Sequence, residues 1–158
     1  MVKVESFEGD EKETDCIGCD LLKAKAEKVG ETKNFVVRQD YETPIPGFMI
    51  ISSKKHIKGI EDLSEDERKE FIELLFRVRK AMTDALGIKY VYIAQKEDSI
   101  INRSHFHIWL FPRYGWMEEY GRKIASITHI VDYARKNMKT DENIAKVKQA
   151  AEKIKGKL

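Results

Sequence analysis

Two short apolar runs, FVVRQD at 35–40 and GFMIISS at 47–53, flank the segment YETPIP, whose two prolines cannot donate to a sheet ladder. The pattern predicts a hairpin with a long loop. In LSEDERKEFIELLFRVRKAMTDALG, at 63–87, residues Phe71, Leu74, Leu75, Val78, Met82, Ala85 and Leu86 recur at helical spacing. Ser64 and Glu67 form a capping-box pattern at its start, and Gly87 stops it. KYVYIAQ at 89–95 and HFHIWLFPR at 105–113 read as two more strands, joined by a polar loop, KEDSIINRS, long enough for an antiparallel return. Ile124, Ile127, Val131, Ala134 and Met138 then repeat at helical spacing. So do Ile144, Val147, Ala151 and Ile154, with Thr140 as N-cap and Gly156 as stop. The expected fold class is α+β: an antiparallel sheet, a long helix after the second strand, and two C-terminal helices.

The run HFHIWLFPR carries more than strand character. Side chains alternate along a strand, so His105, His107 and Trp109 share one face while Phe106, Ile108 and Leu110 share the other. One face suits a core; the other places two of the chain's four histidines side by side. Trp116 and Tyr120, after the strand, read as packing residues.

Composition narrows the function classes. The 158 residues, 42% of them hydrophobic, suit a single domain with a substantial core. Twenty-nine basic residues nearly balance 27 acidic ones, so nothing demands a nucleic-acid partner, and the lysine-rich last helix reads as a solvated face. A small phosphorylated ligand fits this balance. The charged start and the lack of a long apolar run predict no membrane span and a cytoplasmic protein. In that compartment CIGC, with Cys16 and Cys19, reads as half of a metal site or a redox pair rather than a disulfide.

Cys16, Cys19, His56 and His105 are the residue types of a closed tetrahedral zinc site. A redox Cys-x-x-Cys would want a βαβ context, and none precedes this one. Spacing alone leaves two unliganded thiols and surface histidines as an equal alternative.

Three segments, in order, resemble the histidine triad (HIT) family: CIGC, RQDYETPIPGFMIISSKKHI and HFHIWLFPR. They look like its N-terminal zinc knuckle, its segment running from an acidic residue through Pro-x-x-Pro-Gly to Pro-Lys-x-His, and its triad followed by Pro-Arg. The resemblance runs from Cys16 to Arg113 and implies a HIT-like core over about 16–120, with 121–158 as a helical extension of a single 1–158 domain. It implies structural zinc on Cys16, Cys19, His56 and His105, a bound nucleotide or dinucleotide, and a homodimer. His107 falls at the nucleophile that forms a nucleotidyl-imidazole; neutral imidazole is available near pH 7 provided its second nitrogen is held as a donor. Asp40 falls where the family's acidic residue receives ribose hydroxyls, and Asn102 where a Ser often donates to phosphate. With Trp109 and Arg113 these are the expected substrate contacts.

Two positions depart from the family pattern. The third triad position is Trp109, and the His that usually follows Pro-Gly is Phe48. The Gly-Gln-Ser stretch that usually precedes the triad is replaced by DSIINRS. Indole offers one N–H and shuttles no proton at neutral pH, so general-acid help there, typically worth ~10²–10⁴-fold, is lost. The galactose-1-phosphate uridylyltransferase branch has Gln at the third position. The expected function is therefore a nucleotide hydrolase or nucleotidyl transferase acting through His107 on dinucleoside polyphosphates or AMP conjugates. The alternatives are a non-catalytic nucleotide-binding protein with structural zinc, and a redox or zinc-handling protein using Cys16 and Cys19.

Overall fold

The computed structural model describes residues 16–23, 27–97 and 105–158. Four helices, α1 (Ile17–Lys23), α2 (Glu65–Leu86), α3 (Ser126–Asn137) and α4 (Asp141–Lys155), accompany five strands: β1 (Gly30–Glu31), β2 (Phe35–Gln39), β3 (Met49–Ser53), β4 (Val91–Gln95) and β5 (His107–Pro112). The strands form one sheet in the order β1-β2-β3-β5-β4, antiparallel throughout. The α+β class and the antiparallel sheet are those expected from the hydrophobic pattern. No described helix is long and apolar enough to cross a membrane.

Local chemistry explains the boundaries. The Ser64 hydroxyl accepts from the Glu67 amide while the Glu67 carboxylate accepts from the Ser64 amide, closing a capping box, and Gly87 ends α2 at φ 66°. The Thr140 hydroxyl accepts from the Asn143 amide at the start of α4. Between β2 and β3 the Gln39 amide holds the proline loop from inside. Its Nε2 donates to the carbonyls of Asp40 and Ile45, and its Oε1 accepts from the Gly47 amide. Gly47 sits at φ 78°, and a Cβ there would meet Ile88 at 2.9 Å, so this turn excludes other residues. The loop thereby fixes Asp40 at one of its ends and Phe48 at the other.

The two sheet faces carry different cores. Phe35, Val37, Met49, Ile51, Phe106, Ile108 and Leu110 pack against Phe71, Leu74, Val78 and Met82 of α2 and against Ala151 and Ile154 of α4. The opposite face is apolar at one end only. Phe48 and Phe111 pack there with Met117 and with Ile127, Ile130 and Val131 of α3, and Trp109 leans against them. The imidazole face of β5 is therefore half core, a division that alternation along the strand did not reveal. Ile124 lies in a turn before α3 and is 73% exposed, and Ile130 takes the buried helical position in its place. The two-residue β1 and the short 3₁₀ turns Ile60–Asp62 and Gly115–Tyr120 carry no periodicity from which to foresee them.

Candidate functional site

The knuckle on α1 reaches the end of β5. Cys16 Sγ lies 3.3 Å from His105 Nδ1; Cys19 Sγ lies 3.6 Å from the same nitrogen and 3.3 Å from His56 Nδ1. All four ligand atoms fall within 4.8 Å of one another. A tetrahedral site with metal–sulfur bonds of ~2.3 Å and metal–nitrogen bonds of ~2.0–2.1 Å has sulfur–nitrogen edges of about 3.5 Å. These residues therefore fit a metal ion as they stand.

Tautomer and proton supply agree with that fit. His105 Nε2 is 2.7 Å from the Ser53 carbonyl, which can only accept, so Nε2 carries the proton and the Nδ1 lone pair faces the thiols. Burial lowers the His105 pKa, against the pull of its Ser53 hydrogen bond, and so favours the neutral form that binds metal. Burial, followed by the neighbouring Cys16, raises the Cys19 pKa, so a cation must displace its proton. The close approach depends on Gly18, where a Cβ would lie 2.5 Å from the His105 ring. The sequence showed this glycine inside CIGC but not its contact.

His107 has the opposite polarity. Its Nδ1 is 2.7 Å from the His105 carbonyl, so Nδ1 carries the proton and Nε2 keeps the lone pair. Register places His107 opposite Ser52 and Trp109 opposite Ile50, while Ile50 faces Arg38 and Ser52 faces Val36. These side chains share one face. Trp109 stands beside His107, ring centres 6.2 Å apart, and takes the wholly buried Phe48 edge-on at 5.4 Å. Phe48 meets Phe111 in the same way at 5.0 Å.

A cavity of about 360 Å³ opens on this face, lined by Arg38, Asp40, Ile50 and Ser52, by Leu21 of α1 and by Lys148 of α4, among others. Asp40 Oδ1 accepts from the Glu42 and Thr43 amides, fixing the carboxylate as the turn residue it also resembles. Burial raises its pKa, against those hydrogen bonds and the nearby Arg135. Asp40 thus sits in a turn and also lines the cavity. Arg38 is 8% exposed, and its Nε and Nη2 have no hydrogen-bond partner among the described residues. The signal for Arg38 was present as the single charge within FVVRQ; Lys148, one of many lysines, carried none.

Arg113 is engaged away from the cavity. Arg113 donates to the Ser126 hydroxyl and to the Met117 and Gly121 carbonyls and sits over the Tyr92 ring, fastening the segment after β5. Trp116 and Tyr120 stack with Tyr133 of α3. Asn102 lies outside the described residues.

Comparison with known proteins gives a consistent result. The HIT domain family model matches residues 22–115, more than half of the chain. A galactose-1-phosphate uridylyltransferase of Thermotoga maritima is 24% identical over 110 residues, 65% of this chain, which spans about a third (35%) of that relative. Among solved structures, a Hit-like protein involved in cell-cycle regulation from Bartonella henselae superposes with a TM-score of 0.67 at 18% identity, covering 94% of this chain and 100% of that one. A zinc-bound histidine triad family protein from Mycobacterium smegmatis gives 0.56 at 17% identity, over 88% and 99%. These likenesses establish the shared fold.

Proposed function

The chain belongs to the HIT domain family, and on that footing we propose that it binds a nucleotide and acts as a hydrolase or nucleotidyl transferase through a covalent nucleotidyl-His107. The observation that carries this reading is the polarity of His107. The His105 carbonyl holds its Nδ1 proton and leaves Nε2 with the lone pair on the face that Arg38, Ile50 and Ser52 share. Nε2 attacks a nucleotide phosphorus, forming a P–N bond while the P–O bond to the leaving group breaks and its oxygen takes the electron pair. Water then displaces the imidazole from phosphorus. Trp109 cannot relay a proton to that oxygen, which favours leaving groups that need none, such as the phosphate side of a dinucleoside polyphosphate or an activated AMP conjugate.

The cavity beside β2 is the nucleotide site, with Asp40 receiving ribose hydroxyls. Asn102 would donate to the phosphate, Trp109 would border it, and Arg113 acts by holding the strand end. Cys16, Cys19, His56 and His105 hold zinc, a closed site whose contribution is structural: it ties α1 to β3 and β5. Cys16 and Cys19 form no disulfide, as is usual for a cytoplasmic protein. The chain forms a homodimer; Ile93 at the β4 edge and Ile72 and Phe76 of α2 are exposed apolar residues, at 51%, 61% and 64%.

A second reading has its own observation. Phe48, Trp109 and Phe111 form a packed aromatic row where this face would otherwise hold polar groups, and such packing suits a non-catalytic nucleotide-binding protein. Intact-mass spectrometry near neutral pH, after mixing with AMP conjugates and dinucleoside polyphosphates, separates the two. A transient adduct of one nucleotide mass, absent in His107→Ala, is the enzymatic result; bound nucleotide without adduct or product is the binder's.

A further inference from the structure

Arg38 poses a problem of charge. It projects from β2, all five of whose residues are buried, lies more than nine-tenths buried, and has two N–H groups, Nε and Nη2, without a partner among the described residues. A buried guanidinium stays charged, and unpaired donors on it cost more than neutral ones. Native proteins almost always satisfy such groups, from the protein, from ordered water or, in a binding site, from the ligand. Nε and Nη2 share one edge of the guanidinium, the fork that takes two acceptors at once. The residue also lines the cavity, with Leu21 and Ile50 as apolar walls for a flat ring.

The charge of the lining distinguishes the acceptors that would suit the fork. Glu27, Asp40 and Glu42 outnumber Arg38 and Lys148 there, so a further phosphate or carboxylate would meet a net negative wall. A neutral ring edge with two acceptors avoids that repulsion. Guanine and hypoxanthine present O6 and N7 in this way, the pairing arginine makes most often with a base edge. Adenine keeps N7 but presents an amino group in place of O6, which would set N–H against N–H and leave one donor of the fork unpaired. Uracil has an N–H between its carbonyls.

We propose that Arg38 reads the base of the bound nucleotide through its Nε/Nη2 edge, and that the preferred base is a 6-oxopurine. This rests on the cavity being the nucleotide site. It makes Arg38 a specificity-determining residue and turns the substrate class toward guanine or hypoxanthine nucleotides.

Calorimetric titration of the full chain with GMP, IMP, AMP, CMP and inorganic phosphate tests it, in the wild type and in the Arg38→Met and Arg38→Lys variants. The expected result is GMP and IMP binding about tenfold or more tighter than AMP and CMP. Both variants lose that preference, since methionine has no donor and lysine no fork, so the ratio of GMP to AMP affinity falls toward one. Lysine keeps the charge and guards against a methionine variant that fails to fold. Equal binding of GMP and AMP by the wild type overturns the role of Arg38 and leaves the nucleotide site standing, as does a preference that survives both substitutions. CMP or phosphate binding as tightly as GMP overturns the 6-oxopurine. Failure of every nucleotide to bind overturns the site itself, and the inference with it.

Discussion

His105 and His107 stand two residues apart on one strand end and carry their protons on opposite nitrogens. His105 gives Nε2–H to the Ser53 carbonyl and turns Nδ1 to two thiols; His107 gives Nδ1–H to the His105 carbonyl and keeps Nε2 without a partner among the described residues. The first sits 5% exposed in a closed cluster of four donors, the second half-buried on a face with a cavity beside it. On the function proposed above, the same side chain serves as structural ligand or as nucleophile according to which backbone carbonyl it meets. Carbonyls of the surrounding backbone, rather than other side chains, make the distinction.

The largest effect that separates the two regions is expected at His107. His107→Ala should lower turnover by about 10⁴-fold or more, without loss of metal, whereas His105→Ala should lose metal; steady-state assay and metal analysis read the pair. Turnover surviving in His107→Ala would break the comparison at its catalytic end. Trp109→His would restore a proton relay beside the nucleophile, and a gain of about 10²-fold or more is expected in rapid-quench assays. At the other end, Cys16→Ser should lower the stability of the metal-loaded protein by roughly 3–5 kcal/mol, seen as a drop in urea midpoint together with metal content. Gly18→Ala should lower metal affinity through the Cβ that would press on His105 at 2.5 Å, with His107 chemistry retained in metal-saturated protein.

The smallest effect is one of pH. Burial holds the His105 pKa below its ordinary value, so the folded state binds this proton less readily than the unfolded chain. The stability of the metal-free protein should be complete above the usual imidazole pKa of ~6.5 and decline as pH falls from there toward the lowered value. Thermal unfolding between pH 5 and about 8 checks it, and the slope should flatten in His105→Asn.

How much of this was legible in the sequence follows from how local each cause is. The capping box of Ser64 and Glu67, the stop at Gly87 and the N-cap at Thr140 are contained within a few residues, and the helices begin and end there. The four metal donors were legible as types, while their convergence depends on the antiparallel pairing of β3 with β5 and on Gly18 admitting the His105 ring. The half-core character of the imidazole face was not legible, because it comes from α3 laying Ile127, Ile130 and Val131 over Phe48 and Phe111, a contact between distant parts of the chain. Lys148 likewise reaches the cavity only because α4 packs back near β2.

The contrast between the two imidazoles can be measured directly by nitrogen-15 NMR of the histidine rings in mildly alkaline solution. The account predicts the Nε2–H tautomer for His105 and the Nδ1–H tautomer for His107, each assigned by its alanine variant. Finding both rings in the same tautomer, or His107 with its proton on Nε2, would contradict it, because the lone pair that defines the nucleophile would then face the backbone.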